Sequence, residues 1–152
     1  MLIAKVQALR SKDESAGVGA VIIGPDNEIR STGYNGMVRG INDDAEYRHQ
    51  RPEKYKWFEH AERNAIYNAA RMGIALNGCR IYATMFPCTD CTRAIIQVGI
   101  VEVIVESLEV TERWHEDAIR SQDMLDEAKV RVREVGVCLS VASVVKKDRC
   151  MS

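Results

Sequence analysis

Residues 79–106 read "CRIYATMFPCTDCTRAIIQVGIVEVIVE", and their pattern decides the fold class. "CRIYATMF" (79–86) has the look of a buried strand, and "VEVIVE" (101–106) is a second one. Between them, "CTDCTRAIIQVG" forms a helix that starts after Pro87, a residue suited to a first helical turn. A strand, a helix and a strand in this order predict a βαβ crossover, with parallel strands and a helix covering the sheet.

The same logic extends in both directions. "VGAVIIGPDNEIRSTGYNG" (18–36) gives a strand at 18–23, a Gly-Pro-Asp-Asn turn at 24–27 and a strand at 28–33. Leu2, Ile3, Val6 and Leu9 lie at helical spacing and predict a short helix over 2–11. "AERNAIYNAARMG" belongs to a helix over 59–72 that ends near Gly73. Residues 34–57 are polar and irregular, a long stretch to leave without structure and so a candidate functional loop. A charged helix follows at 112–128, and "VRVREVGVCLSVASVV" (130–145) supplies one or two further strands. No repeat or linker divides the chain, so residues 1–152 are expected to form one domain.

Composition narrows the function. The 152 residues are 46% hydrophobic and 28% charged, as in folded soluble proteins, and the net charge of −1 provides no basic footprint for nucleic acid. No apolar run reaches the length of a membrane span, and "MLIAKVQALRSKDE" lacks the hydrophobic core of a secretory signal. A cytoplasmic protein, or one in a host cytoplasm if phage-encoded, with no membrane or nucleic-acid partner is the expectation. Five cysteines without an export signal argue against a disulfide framework.

Two helices begin with residues that bind metals. His60 opens one, and Cys88 and Cys91 open the next, three apart and therefore near one face. A helix N-terminus lowers thiolate pKa, which suits both cysteines to a cation. In a βαβ layout the two N-termini lie side by side, so one imidazole and two thiolates converge. That donor set matches Zn2+ with a fourth position left for water. A closed structural site would need Cys79, Cys138 or Cys150 as a fourth ligand, and a thioredoxin-like Cys pair would need no metal at all. Glu62, two residues beyond His60, stands beside the open position, where it can move protons as a general base rather than bind the ion.

"HAE" (60–62) and "PCTDC" (87–91) resemble the H-x-E…P-C-x-x-C signature of zinc nucleobase deaminases. "RSKDESAGVGAVI" (10–22), "GYNGMVRG" (33–40), "HAERNAI" (60–66) and "IIQVGIVEVIV" (95–105) narrow the resemblance to the dCMP deaminases of bacterial and phage type, in order over residues 9–106. It covers 107–152 more weakly and departs from the pattern at Glu14, Gly17 and Val38. The resemblance implies an α/β fold: a three-layer αβα sandwich of cytidine deaminase-like type with a mixed sheet of about five strands. It implies hydrolytic deamination of dCMP to dUMP and ammonia by a zinc-activated water, with Glu62 as proton shuttle. His60, Cys88 and Cys91 would hold one catalytic Zn2+. The Ala61 N–H would bind the base carbonyl, the carbonyl near Phe86 the leaving amine, and Asn35 the deoxyribose. Ser11 and Lys12 would lie near the nucleotide phosphate or a regulatory site. Gly33, Tyr34 and Gly36 would form a loop for dCTP or dTTP effectors accompanied by Mg2+, in a homo-oligomer such as a dimer or hexamer.

Other readings of the same residues stay open. The fold also serves deaminases of modified dCMP, cytidine, pterin-like rings and tRNA adenosine, the last disfavoured by the charge balance. A zinc-binding regulatory module without catalysis would have no use for Glu62. Tyr34, Tyr55, Trp57 and Phe58 are candidates for stacking on a base or for packing. His49 and the run 48–56 are candidates for a phosphate or, for His49, a second metal, against a solvated loop. Trp114 is a candidate to close the pocket.

Overall fold

The computed structural model describes residues 1–136. A five-stranded sheet carries the fold: β1 (Gly19–Ile23), β2 (Ile29–Tyr34), β5 (Arg80–Ala83), β6 (Glu102–Val105) and β7 (Arg131–Glu134), in the order β2-β1-β5-β6-β7. β1 runs antiparallel to both neighbours, while β5, β6 and β7 are parallel, so the sheet is mixed. The expected crossover is present twice, as β5–α4–β6 with α4 at Thr89–Gln97 and as β6–α5–β7 with α5 at His115–Glu127. Both helices lie on one face of the sheet, together with α3 (Ala61–Arg71), and α1 (Leu2–Ala8) covers the other.

Two glycines set how closely the layers approach. A Cβ on Gly19 would fall 1.9 Å from the carbonyl oxygen of Ala4 in α1, and one on Gly33 would fall 2.2 Å from that of Ala61 in α3. Only glycine at these places lets helix backbone rest on strand backbone. β2 is an edge strand, and α3 satisfies its free carbonyls. Asn64 and Asn68 donate to the Tyr34 and Thr32 carbonyls at 2.8 and 2.9 Å, while Ser31 donates to the Ala65 carbonyl at 2.7 Å. α3 is therefore fixed in height and rotation, which matters because its first turn carries His60 and Glu62. Ile22, Ile81, Ile95, Val103, Val105 and Leu125 fill the core between sheet and helices.

The structure corrects several expected elements. α1 ends at Ala8 rather than residue 11, and β5 stops at Ala83, although Thr84 still donates its N–H to the Gly19 carbonyl at 3.0 Å. α4 starts after Pro87, as expected, with Cys88 as its N-cap and Thr89 as its first residue. The irregular 34–57 stretch contains β3 (Gly36–Met37), a 3-10 turn (Glu46–His49) and α2 (Lys54–Trp57). β3 pairs with β4 (Phe58–Glu59), so α3 starts at Ala61 and not at residue 59. Such two- to four-residue elements have no length over which periodicity can register. The charged helix begins with a 3-10 turn (Glu112–Trp114) ahead of α5. Cys138, Cys150 and any strand beyond β7 lie outside the described residues.

Candidate active site

α3 and α4 start at the same edge of the sheet, and each is N-capped by a metal-type donor. His60 (φ −80, ψ 156) caps α3 and Cys88 (φ −71, ψ 169) caps α4, and neither side chain bonds its own helix. Instead they face each other. His60 Nδ1 is 3.3 Å from Cys88 Sγ and 3.6 Å from Cys91 Sγ. Donor atoms of all three lie within 4.8 Å of one another, the one such group of three or more among the described residues. For tetrahedral zinc with bonds of about 2.0–2.1 Å to nitrogen and 2.3 Å to sulfur, a nitrogen–sulfur edge is about 3.5 Å. The donor set fits that ion in both chemistry and spacing.

The electrostatics of the metal-free triad fit a cation as well. Hydrogen bonding from Cys91 and then from His60 pushes the Cys88 thiol down to about 4, while its interaction with Cys88 and burial push Cys91 up. His60 is raised, first by its hydrogen bond with the Cys88 sulfur. The three donors are close enough to compete for the same proton, as ligands of one cation are. Glu62 sits beside them, 4% exposed, with Oε2 3.6 Å from Cys91 Sγ. Burial raises its carboxyl above the usual range. Arg63 grips Glu59 through two nitrogens and reaches Asp90 of α4 at 3.4 Å, linking β4, α3 and α4 around the triad.

The triad borders a cavity of about 270 Å³ that has His60, Ala61, Glu62 and Cys88 in its wall, with Cys91 behind them. Of the residues expected to meet substrate, Asn35, Ala61 and Phe86 line it. Ala61 is the first residue of α3, so its N–H has no acceptor within the helix. Asn35 is mostly engaged: Oδ1 accepts from Val18 N–H at 2.7 Å, and Nδ2 donates to the Ala16 carbonyl and to Asp13. One lone pair of Oδ1 is left for a ligand. Ser11 instead donates to the Asn35 carbonyl at 2.9 Å and touches neither cavity. Lys12 pairs with Asp43 on the rim of a second cavity of about 660 Å³. Tyr34 and Gly36 line that second cavity, whereas Gly33 lies inside β2 under α3.

Tyr55, Phe58 and Trp114 join the first cavity; Trp57 does not, and its indole N–H bonds Glu53 at 3.0 Å. His49 packs edge-on against Phe58, with Nε2 2.6 Å from the Asp43 carbonyl oxygen, and belongs to no metal-type group among the described residues. Sequence reasoning missed Asp13 and Ser15. Lys54, 5% exposed, holds both Asp13 oxygens at 2.8 and 2.9 Å and Ser15 Oγ at 3.0 Å, within the cavity wall. The basic run around it was the one available signal. Arg51 of the same run is also in the wall.

The profile of the cytidine and deoxycytidylate deaminase zinc-binding region matches residues 1–107. The chain belongs to this family. Among curated members, it is 37% identical over 141 residues to the deoxycytidylate deaminase of Pongo abelii, covering 88% of this chain and 76% of that protein. It is 43% identical over 112 residues to the deoxycytidylate deaminase of Mus musculus, covering 70% of this chain but 62% of the mouse protein. The dCMP deaminase of cyanophage S-TIM5, solved in complex with dCMP and dUMP, superposes with a TM-score of 0.70 at 24% identity, over 88% of this chain and 92% of that one. This last likeness establishes a shared deaminase fold. The Zn2+ expected from the donor set agrees with the family's zinc-binding region. No helix among the described residues is long and apolar enough to cross a membrane.

Proposed function

We propose that this deaminase-family chain converts dCMP to dUMP and ammonia, and that His60, Cys88 and Cys91 hold the zinc ion while Glu62 handles the protons. One observation carries the reading: two helix N-termini bring one imidazole, two cysteine sulfurs and a buried carboxyl group together, with His60, Glu62 and Cys88 in the wall of one cavity. When bound, zinc supplies the Lewis acidity that makes water nucleophilic at neutral pH. The chain does the rest. Glu62, raised by burial, can take one proton from the attacking water to the ring nitrogen and then a second, from the hydroxyl that has added to the ring, to the departing amine. The unpaired Ala61 N–H offers a donor to the base carbonyl, and the Phe86 backbone an acceptor for the amino group. Asn35 keeps one acceptor for a sugar hydroxyl. The names of the relatives, deoxycytidylate deaminase in Pongo abelii and Mus musculus, favour dCMP over other cytosine compounds.

The second cavity supports an effector role. Arg10, Lys12, Arg39 and Arg71 surround it against two carboxylates, Asp43 and Glu59, a balance that suits a polyphosphate such as dCTP or dTTP with Mg2+. Tyr34, under the Arg10 guanidinium at 4.7 Å, and Gly36 form part of that wall. A homo-oligomer accompanies this reading.

The test is ammonia release from dCMP, CMP, deoxycytidine and dCTP by zinc-loaded protein, with and without added dCTP and dTTP. Turnover of dCMP above the others is expected. Release from none of them refutes the reading, and a preference for deoxycytidine refutes the nucleotide assignment alone.

A further inference from the structure

α4 has an unusual start. A helix N-terminus is best closed by Ser, Thr, Asp or Asn, whose side chain accepts from the first free N–H groups. Cys88 occupies that position, and its sulfur is turned toward His60 Nδ1, so it makes no cap. An acceptor for the free N–H of the first helical residue comes from far along the chain. Asp117, in the first turn of α5, accepts from the Thr89 backbone N–H and from Thr89 Oγ1, both at 2.9 Å. One carboxylate therefore lies between the N-terminal ends of two helices, a favourable place for negative charge at both. Asp117 also lines the cavity and falls beyond the 1–107 region that the family profile matches.

We propose that Asp117 is a positioning residue for the metal centre. It takes up the free N–H of Thr89, the first residue of α4, beside the Cys88 side chain that is turned away to serve as a ligand, and by fixing Thr89 it fixes the turn from which Cys88 and Cys91 project. This rests on the assignment of those two thiols as zinc ligands. The segment 107–118 is held at a second point, where Arg113 donates to the Tyr55 hydroxyl and its guanidinium lies 5.6 and 5.2 Å from the ring centroids of Tyr55 and Trp114. That tether joins two residues of the cavity wall, Tyr55 and Trp114, and makes no bond to Thr89, so two roles separate: Asp117 holds the ligand turn, Arg113 holds the wall.

The decisive experiment follows release of zinc to a chelator from loaded wild-type, Asp117→Ala, Asp117→Asn, Thr89→Val and Arg113→Ala proteins. Loss of a partner that orients a metal ligand costs about 10- to 100-fold in metal affinity. Asp117→Ala should release zinc about 10-fold faster than wild type. Asp117→Asn and Thr89→Val, which each keep one of the two hydrogen bonds, should fall between, and Arg113→Ala should match wild type. If Asp117→Ala does not fold, the Asn and Val variants carry the test. Wild-type rates in the Asp117 and Thr89 variants overturn the inference, and so does equal acceleration in Arg113→Ala. A wild-type protein that takes up no zinc overturns the ligand assignment itself, and this inference with it.

Discussion

The two cavities share Phe58 and Glu59 as a dividing wall and are built by opposite rules. In the smaller one two charged groups, Lys54 and Glu62, are buried, although Arg51 and Glu109 of its wall are exposed. Lys54 is locked between Asp13 and Ser15, and Glu62 is held next to the cysteines. In the larger one the charges are at the surface: the Lys12 side chain is 70% exposed and answers Asp43 across the rim. Buried charges are costly unless paired, so their positions are fixed by the fold, and fixed charge is what acid–base chemistry requires. Exposed charges exchange partners with water at small cost, which suits a site that gathers a charged ligand without acting on it.

The largest contrast should come from the metal triad. Cys88→Ala removes one of three donors, and both bound zinc and ammonia release should fall below detection; retained zinc with full activity would break the assignment. Next comes the Lys54–Asp13 pair, with side chains 6% and 12% exposed. Lys54→Met strands a mostly buried carboxylate, and urea denaturation should show a loss of about 3 kcal/mol. Lys12→Ala on the second cavity should cost far less than Lys54→Met in the same assay. Equal losses for the two lysines would erase the distinction between the cavities.

A smaller effect follows from pH. Burial alone would push the Asp13 carboxyl up, but hydrogen bonds from Lys54 and Ser15 outweigh it and hold it below its ordinary value. A carboxyl lowered in the folded state stabilises above its unfolded pKa of about 4, and that stabilisation is lost as pH falls through the folded pKa. The stability gap between wild type and Lys54→Met should therefore be full at neutral pH and shrink below about pH 4. A gap that widens in acid would contradict the pairing.

The two regions also differed in how legibly the sequence encodes them. The triad could be read because its parts follow local rules. Pro87 and the Cys pair mark a helix start, His60 and Glu62 mark another, and apolar strands on either side fix where those starts point. The 34–57 stretch resisted because β3 and β4 are two residues each, and their pairing depends on contacts across more than twenty positions. Lys54, flanked by charge in "EKYK", reads as solvated. Its burial is decided by Asp13, 41 residues away, a distance over which no periodicity carries information. Ser11, placed near a ligand by resemblance, donates to the backbone of Asn35, a bond over 24 positions that no local pattern announces. Asp117 escaped notice because a carboxylate in the first turn of a charged helix already has a local reason to be there.

The central claim is a division of labour in which His60, Cys88 and Cys91 hold the metal and Glu62 moves the proton. It is tested most directly by measuring zinc stoichiometry and dCMP-dependent ammonia release on one preparation of Glu62→Gln beside wild type. The account predicts zinc at the wild-type level and turnover lower by about 10²–10⁴-fold, the contribution of a positioned acid–base group. Loss of zinc from the variant would make Glu62 a ligand, and undiminished turnover would remove it from the chemistry.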